Sequence, residues 1–161
     1  MIKKETVWSI LEEIPDPEIP VISIVELGIT RDVHIDGDSV TVDITPTYSG
    51  CPAMGVIEKD IIGKLKAAGV ENPKIKVVYS PVWTTDWLND EAKEKLRKYG
   101  IAPPEKASHD KSLLTGKPKI IACPYCGSGK TKLISQFGST ACKALYKCEN
   151  CLEPFDYFKC H

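Results

Sequence analysis

Cys123-Pro-Tyr-Cys126-Gly127 and Cys148-Glu-Asn-Cys151 are two Cys-x-x-Cys turns near the end of a 161-residue chain. Each turn can bring two thiolates to one ion, and two such turns complete a closed tetrahedral site. The 21 residues between the turns are close to the spacing typical of paired zinc-binding turns. We therefore expect Cys123, Cys126, Cys148 and Cys151 to hold a structural zinc ion, although four thiolates also suit iron or a cluster.

The segments around the two turns are short and partly alternating, and they predict a zinc ribbon. Residues 119–122 lead into the first turn, 131–137 lead away from it, 141–146 lead into the second turn, and 155–158 can add a last strand. The predicted ribbon core consists of Leu133, Ile134, Phe137, Leu145, Phe155, Tyr157 and Phe158. Because so small a core cannot hold a fold alone, we expect metal binding and folding to be coupled.

Composition divides the chain into a larger acidic part and a smaller basic part. Residues 1–103 carry 12 Lys and Arg against 17 Asp and Glu, whereas residues 119–161 carry 6 against 3. The stretch between them, 104–118, is polar and lacks apolar periodicity, which is typical of a linker. We therefore expect two domains, 1–103 and 119–161, joined by that linker.

The apolar positions of the first part predict three helices and three strands in the order α-β-β-α-β-α. The predicted elements are a helix over 6–14, strands over 30–35 and 40–45, a helix with apolar positions from Met54 to Ala68, a strand over 75–79 and a helix over 86–98. Asp36-Gly37 predicts a hairpin turn between the first two strands. The expected fold class is therefore α+β, with a small α-β-β-α-β-α domain followed by a zinc ribbon.

Cys51 is the residue best placed to carry chemistry in the first part. It follows the loop of residues 45–50 and precedes a predicted helix, whose unpaired N–H groups and dipole favour a thiolate. The alternative is a buried cysteine that acts as a small apolar residue. A Cys-His dyad has little support because His34 lies on a predicted strand, His109 in the predicted linker and His161 at the last position.

Two acidic residues, Asp16 and Glu18, lie in a loop fixed by Pro15, Pro17 and Pro20. Such a loop can direct both carboxylates at a metal or at the thiol described above. The alternative is a solvated turn that only ends the first helix.

Two tryptophans, Trp83 and Trp87, flank the Thr-Thr-Asp sequence before the last predicted helix of the first part. They could form a surface for a partner protein. The alternative is that they belong to the core, with Thr85 or Asp86 as the N-cap of the helix.

Several classes of function are disfavoured by the composition. Seven cysteines is an odd number, and the chain shows neither the apolar core of a signal peptide nor an apolar run of about 20 residues. We expect a cytoplasmic protein that does not bind membranes. The ribbon has a net charge of only +3 without an arginine cluster, which is weak for nucleic acid binding. Cys142, Cys160 and His161 are extra potential ligands for a second metal.

Further motifs are Asp16-Pro-Glu-Ile-Pro20, Leu27-Gly-Ile29 and Thr45-Pro-Thr-Tyr-Ser-Gly-Cys-Pro52. They resemble the iron-sulfur assembly family that includes SufT-type proteins and the cytosolic iron-sulfur targeting factors. The segments 81–87, 96–104 and 134–144 resemble a narrower group. This group is the PaaD family, a component of the phenylacetyl-CoA epoxidase system, and the resemblance spans essentially the whole chain.

The resemblance implies an accessory or maturation role in phenylacetate degradation. The oxygenase of that system uses a di-iron subunit, and its reductase carries flavin and a [2Fe-2S] cluster. The present chain has neither a Glu-x-x-His pair nor a dinucleotide fingerprint, so we expect it to supply clusters or iron instead. By the family's motif, Cys51 would transiently bind an iron-sulfur cluster, and Asp16 and Glu18 would shape its loop.

The expected partners are the oxygenase and reductase subunits or iron-sulfur assembly proteins, and the expected role is non-enzymatic. Two alternatives stay open at this point. The chain could be a zinc-stabilised docking subunit without cluster chemistry, or a thiol enzyme that uses Cys51. A homodimer that pairs through an edge of the three-stranded sheet is also open.

Overall fold

The computed structural model describes residues 1–104 and 119–159, which form two compact units, Met1–Trp83 and Thr84–His161. The first unit contains helix α1 (Lys4–Glu12), strands β1 (Thr30–Asp36) and β2 (Ser39–Ile44), helix α2 (Met54–Ala67) and strand β3 (Asn72–Val77). The second unit contains a 3-10 turn (Thr85–Trp87), helix α3 (Asp90–Lys98) and strands β4 (Ile101–Ala102), β5 (Thr131–Ser135), β6 (Lys143–Cys148) and β7 (Pro154–Phe158).

The sheet of the first unit has the order β1-β2-β3. Strands β1 and β2 form an antiparallel hairpin, and its turn contains Gly37 with a φ of 58°, a conformation that glycine adopts without strain. Strands β2 and β3 are parallel, so α2 is the crossover that returns the chain to the end of the sheet at which β2 began. This βαβ connection gives the unit one edge at which both parallel strands end.

The core of the first unit lies between the sheet and the two helices. Its buried side chains recur at every second residue on β2 and at every third or fourth residue on the helices. Val40, Val42 and Ile44 of β2 are fully buried, as are Val7 and Leu11 of α1 and Ile61 and Leu65 of α2. Each such side chain stabilises the fold by about 1.5–3 kcal/mol.

The sheet of the second unit has the order β4-β7-β6-β5. Strand β6 pairs antiparallel with both neighbours, and the two-residue strand β4 pairs parallel with β7. Gly100, just before β4, has a φ of 85°, and a side chain there would collide with the hydroxyl of Tyr125 in the first Cys-x-x-Cys turn. Helix α3 and β4 thereby belong to the same unit as the ribbon.

The predicted fold class is confirmed, because an α+β unit is followed by a unit built on a cysteine-rich ribbon. The observed division after Trp83 differs from the predicted division at residue 103. The reason is that β4 pairs with β7, a contact across more than 50 residues that no local pattern reveals. Of the predicted linker, 105–118 lies outside the described residues.

Two predictions of detail were wrong. A single helix over 86–98 is not formed. Asn89 is the N-cap of α3, since its side chain accepts the N–H of Ala92, and the helix therefore begins at residue 90. Ile134 and Phe137 do not belong to the ribbon core, since they are 54% and 67% exposed.

The helices of both units are short. Within the described part of the chain, none is long and apolar enough to cross a bilayer.

Candidate metal centre and thiol loop

The four cysteines of the two turns meet at one point of the second unit. The sulfurs of Cys123 and Cys151 are 3.7 Å apart, those of Cys126 and Cys148 are 3.6 Å apart, and all four lie within 4.8 Å of one another. Among residues 1–104 and 119–159, this is the one cluster of three or more potential metal ligands. The sequence prediction that these four residues form a single group is confirmed.

The two turns share a backbone arrangement. In the first, the N–H of Cys123 donates to the carbonyl of Ser128 at 2.9 Å. In the second, the N–H of Cys148 donates to the carbonyl of Glu153 at 3.0 Å. The residue after the last cysteine of each turn is left-handed, with a φ of 74° at Gly127 and 65° at Leu152. Leucine is a strained choice for this conformation.

The surroundings of the sulfurs shift the pKa values of Cys126 and Cys151 in opposite directions. The backbone N–H of Ser128 donates to the Cys126 sulfur and lowers the pKa of that thiol to about 6, with help from the side-chain amide of Asn150. The pKa of Cys151 moves the other way. A backbone N–H of Glu153 lowers it, but burial and the neighbouring cysteines outweigh that effect and raise the pKa to about 12. A divalent cation would offset the repulsion that opposes ionisation of all four thiols.

The spacing of the sulfurs fits a single tetrahedral ion. A zinc ion with Zn–S distances of about 2.3 Å places its sulfur ligands about 3.8 Å from one another. The two measured distances of 3.6 and 3.7 Å are close to that value. The four residues would thus hold one ion and close its coordination, which is the arrangement of a structural site.

Cys51 lies in the connection from β2 to α2, at the edge where the parallel strands end. Its N–H donates to the carbonyl of Tyr48 at 3.3 Å, and its carbonyl accepts the N–H of Met54, the first residue of α2, at 3.4 Å. Gly50 has a φ of 76°, so the preceding residue turns the chain sharply into the helix. The side chain is half-buried and unpaired with another cysteine, so it can be reached from outside.

The Asp16 carboxylate organises its own loop. Its Oδ1 atom accepts the N–H groups of Glu18 at 2.9 Å and Ile19 at 2.8 Å, and the residue is only 4% exposed. This arrangement is an Asx-type turn closed by a buried carboxylate. The alternative of a solvated turn therefore fails for Asp16, whereas Glu18 is half-buried.

Hydrogen bonds connect the Asp16 loop to the edge that holds Cys51. The N–H of Ile24 donates to Ile14 at 3.0 Å, and the N–H of Ile29 donates to Ile24 at 3.0 Å. The N–H of Thr45 then donates to Ile29 at 2.9 Å, which joins this segment to the end of β2. In open sheets with parallel strands, this edge is where ligands are usually bound. The three segments that the sequence singled out therefore share one edge.

Trp83 belongs to the core, as one of the two alternatives for the tryptophans proposed, and it also anchors a loop. It is 2% exposed, and its indole N–H donates to the carbonyl of Leu27 at 2.8 Å. The hypothesis that Trp83 forms a partner surface was wrong, because the ring is buried in the first unit. The predicted caps were also wrong: Thr84 caps the 3-10 turn by accepting the N–H of Asp86.

Of the extra potential ligands, Cys142 does not join the four-cysteine centre. Cys142 is buried, and its sulfur lies 3.0 Å from the hydroxyl of Thr140. Cys160 and His161, like His109, lie outside the described residues.

Comparison with known proteins identifies both parts of the chain. Residues 107–159 match the family model described as the PaaD zinc beta ribbon domain, and residues 4–77 match the one described as iron-sulfur cluster assembly protein. The crystal structure of a domain of unknown function from Bacillus anthracis is similar, with a TM-score of 0.53 and 30% identity over 58% of this chain and 90% of that one. A conserved hypothetical protein of Thermotoga maritima has a TM-score of 0.51 and 32% identity over 59% of this chain and 94% of that one.

Two curated relatives carry names that concern these parts. The "Fe-S protein maturation auxiliary factor SufT" of Staphylococcus aureus is 42% identical over 50% of this chain and 93% of its own. A protein of Escherichia coli K12 that is named as a component of a "Putative 1,2-phenylacetyl-CoA epoxidase" is 49% identical over 96% of this chain and 91% of its own. Because the second match spans both units at this identity, the chain belongs to the PaaD family, and its first unit is of the iron-sulfur assembly type.

Proposed function

We propose that this chain is a non-enzymatic maturation factor that delivers an iron-sulfur cluster, or iron, to a phenylacetyl-CoA epoxidase. Its relatives combine the two halves of this proposal. One is named as a component of that epoxidase, and the others are named as iron-sulfur maturation factors. The client that fits best is the reductase of the epoxidase system, because the family resemblance implies that it carries a [2Fe-2S] cluster.

The observation that carries the proposal is the position of Cys51. Its half-buried thiol lies at the sheet edge where the Asp16 loop and the end of β2 are joined by hydrogen bonds. A thiolate is the ligand that iron-sulfur clusters require, and a single accessible one can bind without holding the cluster permanently. Asp16 shapes the neighbouring loop rather than offering a free carboxylate, because its Oδ1 accepts two backbone N–H groups.

The proposed step is an exchange of thiolate ligands, with the cluster as cargo. The Cys51 thiolate bonds to an iron atom of the cluster and displaces a cysteine thiolate of the donor protein. Low-molecular-weight thiolates replace the other donor ligands while the cluster is bound to Cys51. Cysteine thiolates of the client then displace Cys51 and these thiolates in the same way. Each exchange replaces one sulfur ligand by another and releases a thiolate that takes up a proton, so no oxidant or reductant is needed.

The four-cysteine centre has a separate, structural role in this proposal. Its closed set of thiolates leaves no open position for a substrate, and zinc is the ion that the description of the matching family favours. Cys123 and Cys148 belong to the ribbon core together with aromatic residues such as Phe155 and Tyr157. The ion would therefore stabilise the ribbon and not take part in transfer.

The experiment that tests the proposal is a cluster transfer assay with purified proteins under anaerobic conditions. The chain is reconstituted with iron and sulfide, repurified and mixed with the apo-reductase, and the absorption of the reductase cluster is followed. We expect wild type to transfer its cluster and Cys51→Ser to retain about one zinc but no sulfide. Cys142→Ala is the matched control, because it removes a cysteine that lies outside the four-cysteine centre.

Two outcomes would contradict the proposal. Equal transfer by wild type and Cys51→Ser would show that this thiol is not the ligand. Absence of iron and sulfide from every preparation, together with an active reductase in cells that lack the chain, would favour the zinc-stabilised docking subunit.

A further inference from the structure

We propose that the edge strand β5 and the second Cys-x-x-Cys turn form a docking surface for an extended, acidic segment of a partner protein. This surface, the β5 groove, is lined by Lys132, Ile134, Lys147, Glu149 and Leu152. It belongs to the second unit alone and does not depend on the chemistry of Cys51.

The groove is apolar at its floor and exposed to solvent. It encloses about 400 Å³ between β5, β6 and the residue that follows the second turn. Ile134 is 54% exposed and Leu152 is 65% exposed, although both are large aliphatic residues in a unit with a small core. An apolar surface of this kind costs free energy in water, and a partner that covers it would recover about 25 cal/mol for each Å² buried.

Two lysines give the groove its charge preference. Lys132 of β5 and Lys147 of β6 are direct partners in the antiparallel register. Side chains at such positions are about 5 Å apart at their Cβ atoms, and like charges there repel each other. The groove also contains Glu149, so its lining carries two positive charges and one negative charge. A carboxylate placed between the two lysines would turn their repulsion into attraction, so the pair selects a segment that carries Asp or Glu.

Strand β5 is an edge strand of the second sheet. It is the last strand in the order β4-β7-β6-β5. The opposite edge, β4, has only two residues, both buried. The edge strand β3 of the first unit contains Pro73, which cannot donate a hydrogen bond. Strand β5 has no proline, and its pairing with β6 is regular from Thr131 to Leu133, before an irregularity between Leu133 and Ser135. A partner segment could therefore extend the sheet by β-strand addition along this regular part.

The conformation of Leu152 is a second sign that this surface is used. Its φ of 65° is the conformation that Gly127 adopts without strain at the matching position of the first turn. Leucine here is strained and also leaves an apolar side chain in water. The left-handed φ belongs to the turn itself, as at Gly127, whereas the exposed leucine side chain lies where a docked segment would cover it.

The test uses a defined probe with the full, zinc-loaded chain. The probe is a fluorescein-labelled peptide of eight residues that alternate Glu and Val, and its counterpart alternates Lys and Val. Binding is measured by fluorescence anisotropy at about physiological salt. We expect saturable binding of the Glu peptide and at least tenfold weaker binding of the Lys peptide.

A charge-reversed pair of variants locates the site. The double variant Lys132→Glu with Lys147→Glu replaces one like-charged pair by another, so its thermal stability should stay close to that of wild type. It should bind the Glu peptide at least tenfold more weakly and gain binding of the Lys peptide. The matched control, Lys74→Glu with Lys76→Glu, changes the net charge equally on the proline-containing edge β3 and should bind like wild type.

A second variant separates docking from stability. Leu152→Gly removes the strain and the apolar side chain together, so it should raise the melting temperature and weaken peptide binding. Amide hydrogen exchange should also show new protection of alternate β5 amides when the Glu peptide is bound.

Three results would overturn the proposal. One is equal weakening by both double variants, which would show attraction by net charge alone. Another is failure of the Glu peptide to bind at millimolar concentration. The last is tighter binding of a single-stranded oligouridylate at the same lysines, which would make the groove a nucleic acid site.

Discussion

Replacement of Asp16 tests whether its carboxylate is structural or chemical. In Asp16→Ala, the N–H groups of Glu18 and Ile19 lose their shared acceptor. The Ile19 residue is 1% exposed, so its N–H would stay unsatisfied at a cost of about 1–3 kcal/mol. The N–H of Glu18 is only partly buried and can be rehydrated, which adds about 1 kcal/mol. We therefore expect the first unit to lose about 3 kcal/mol of stability.

The isosteric change Asp16→Asn should cost much less. The amide oxygen of asparagine can accept the same two N–H groups, but without the charge that roughly doubles the strength of such hydrogen bonds. We expect a loss of about 1 kcal/mol. Asp60→Ala, at an exposed position of α2, is the matched control and should change stability by less than about 0.5 kcal/mol.

The assay is equilibrium urea denaturation followed by far-UV circular dichroism and tryptophan fluorescence, with cluster transfer measured on the same proteins. Stability of Asp16→Ala within about 0.5 kcal/mol of wild type would refute the assigned role of the turn. Loss of cluster transfer in a folded Asp16→Asn would show that the charge of Asp16 acts on the cargo. Retention of transfer would leave Asp16 as a positioning residue.

Four further perturbations have expected outcomes. Chelation of the ribbon metal with EDTA should remove the NMR dispersion of β5 to β7 and leave that of β1 to β3 unchanged, since the first unit has a core of its own; simultaneous loss in both units would contradict this. Trp83→Phe should cost about 1–3 kcal/mol in urea denaturation, because the buried carbonyl of Leu27 loses its donor; an unchanged midpoint would show that water replaces the indole. Gly100→Ala should lower the melting temperature of the second unit, because a side chain there is both strained by the positive φ and in collision with the tyrosine ring of the first turn; a stable variant would mean that the ring simply moves. The pKa of Asp32 lies below its usual value because its carboxylate accepts a hydrogen bond from Lys4. This interaction therefore stabilises the fold fully at pH values above the pKa of unfolded Asp32, and the stabilisation declines as the pH falls through the lowered pKa of the folded state. An NMR titration of Lys4→Gln should show a higher pKa for Asp32, and an unchanged pKa would exclude the ion pair as the cause.

The local pattern of apolar residues predicted the helices and strands that bury one face, because burial of a single face imposes a regular spacing of apolar side chains. The apolar stripe of α2 and the alternation of β2 were visible in the sequence. Ile57, Ile61 and Leu65 of that stripe are buried as expected, whereas Met54 is half-buried and Ala68 is exposed. The start of α3 was misplaced, because two capping residues, Thr84 and Asn89, compete within a few positions. The exposure of Ile134 was also missed, since hydrophobicity alone cannot tell a core residue from one that lines a surface groove.

The sequence by itself determined the four-cysteine centre, because the spacing within each Cys-x-x-Cys turn is set by the reach of two adjacent thiolates. It also singled out Cys51 and the Asp16 loop. Only the tertiary structure showed that these two segments share a sheet edge, because the parallel pairing of β2 with β3 and the bond between Thr45 and Ile29 join distant parts of the chain. The pairing of β4 with β7 and the burial of Trp83 were decided in the same way, since long-range packing depends on contacts that no sequence window contains.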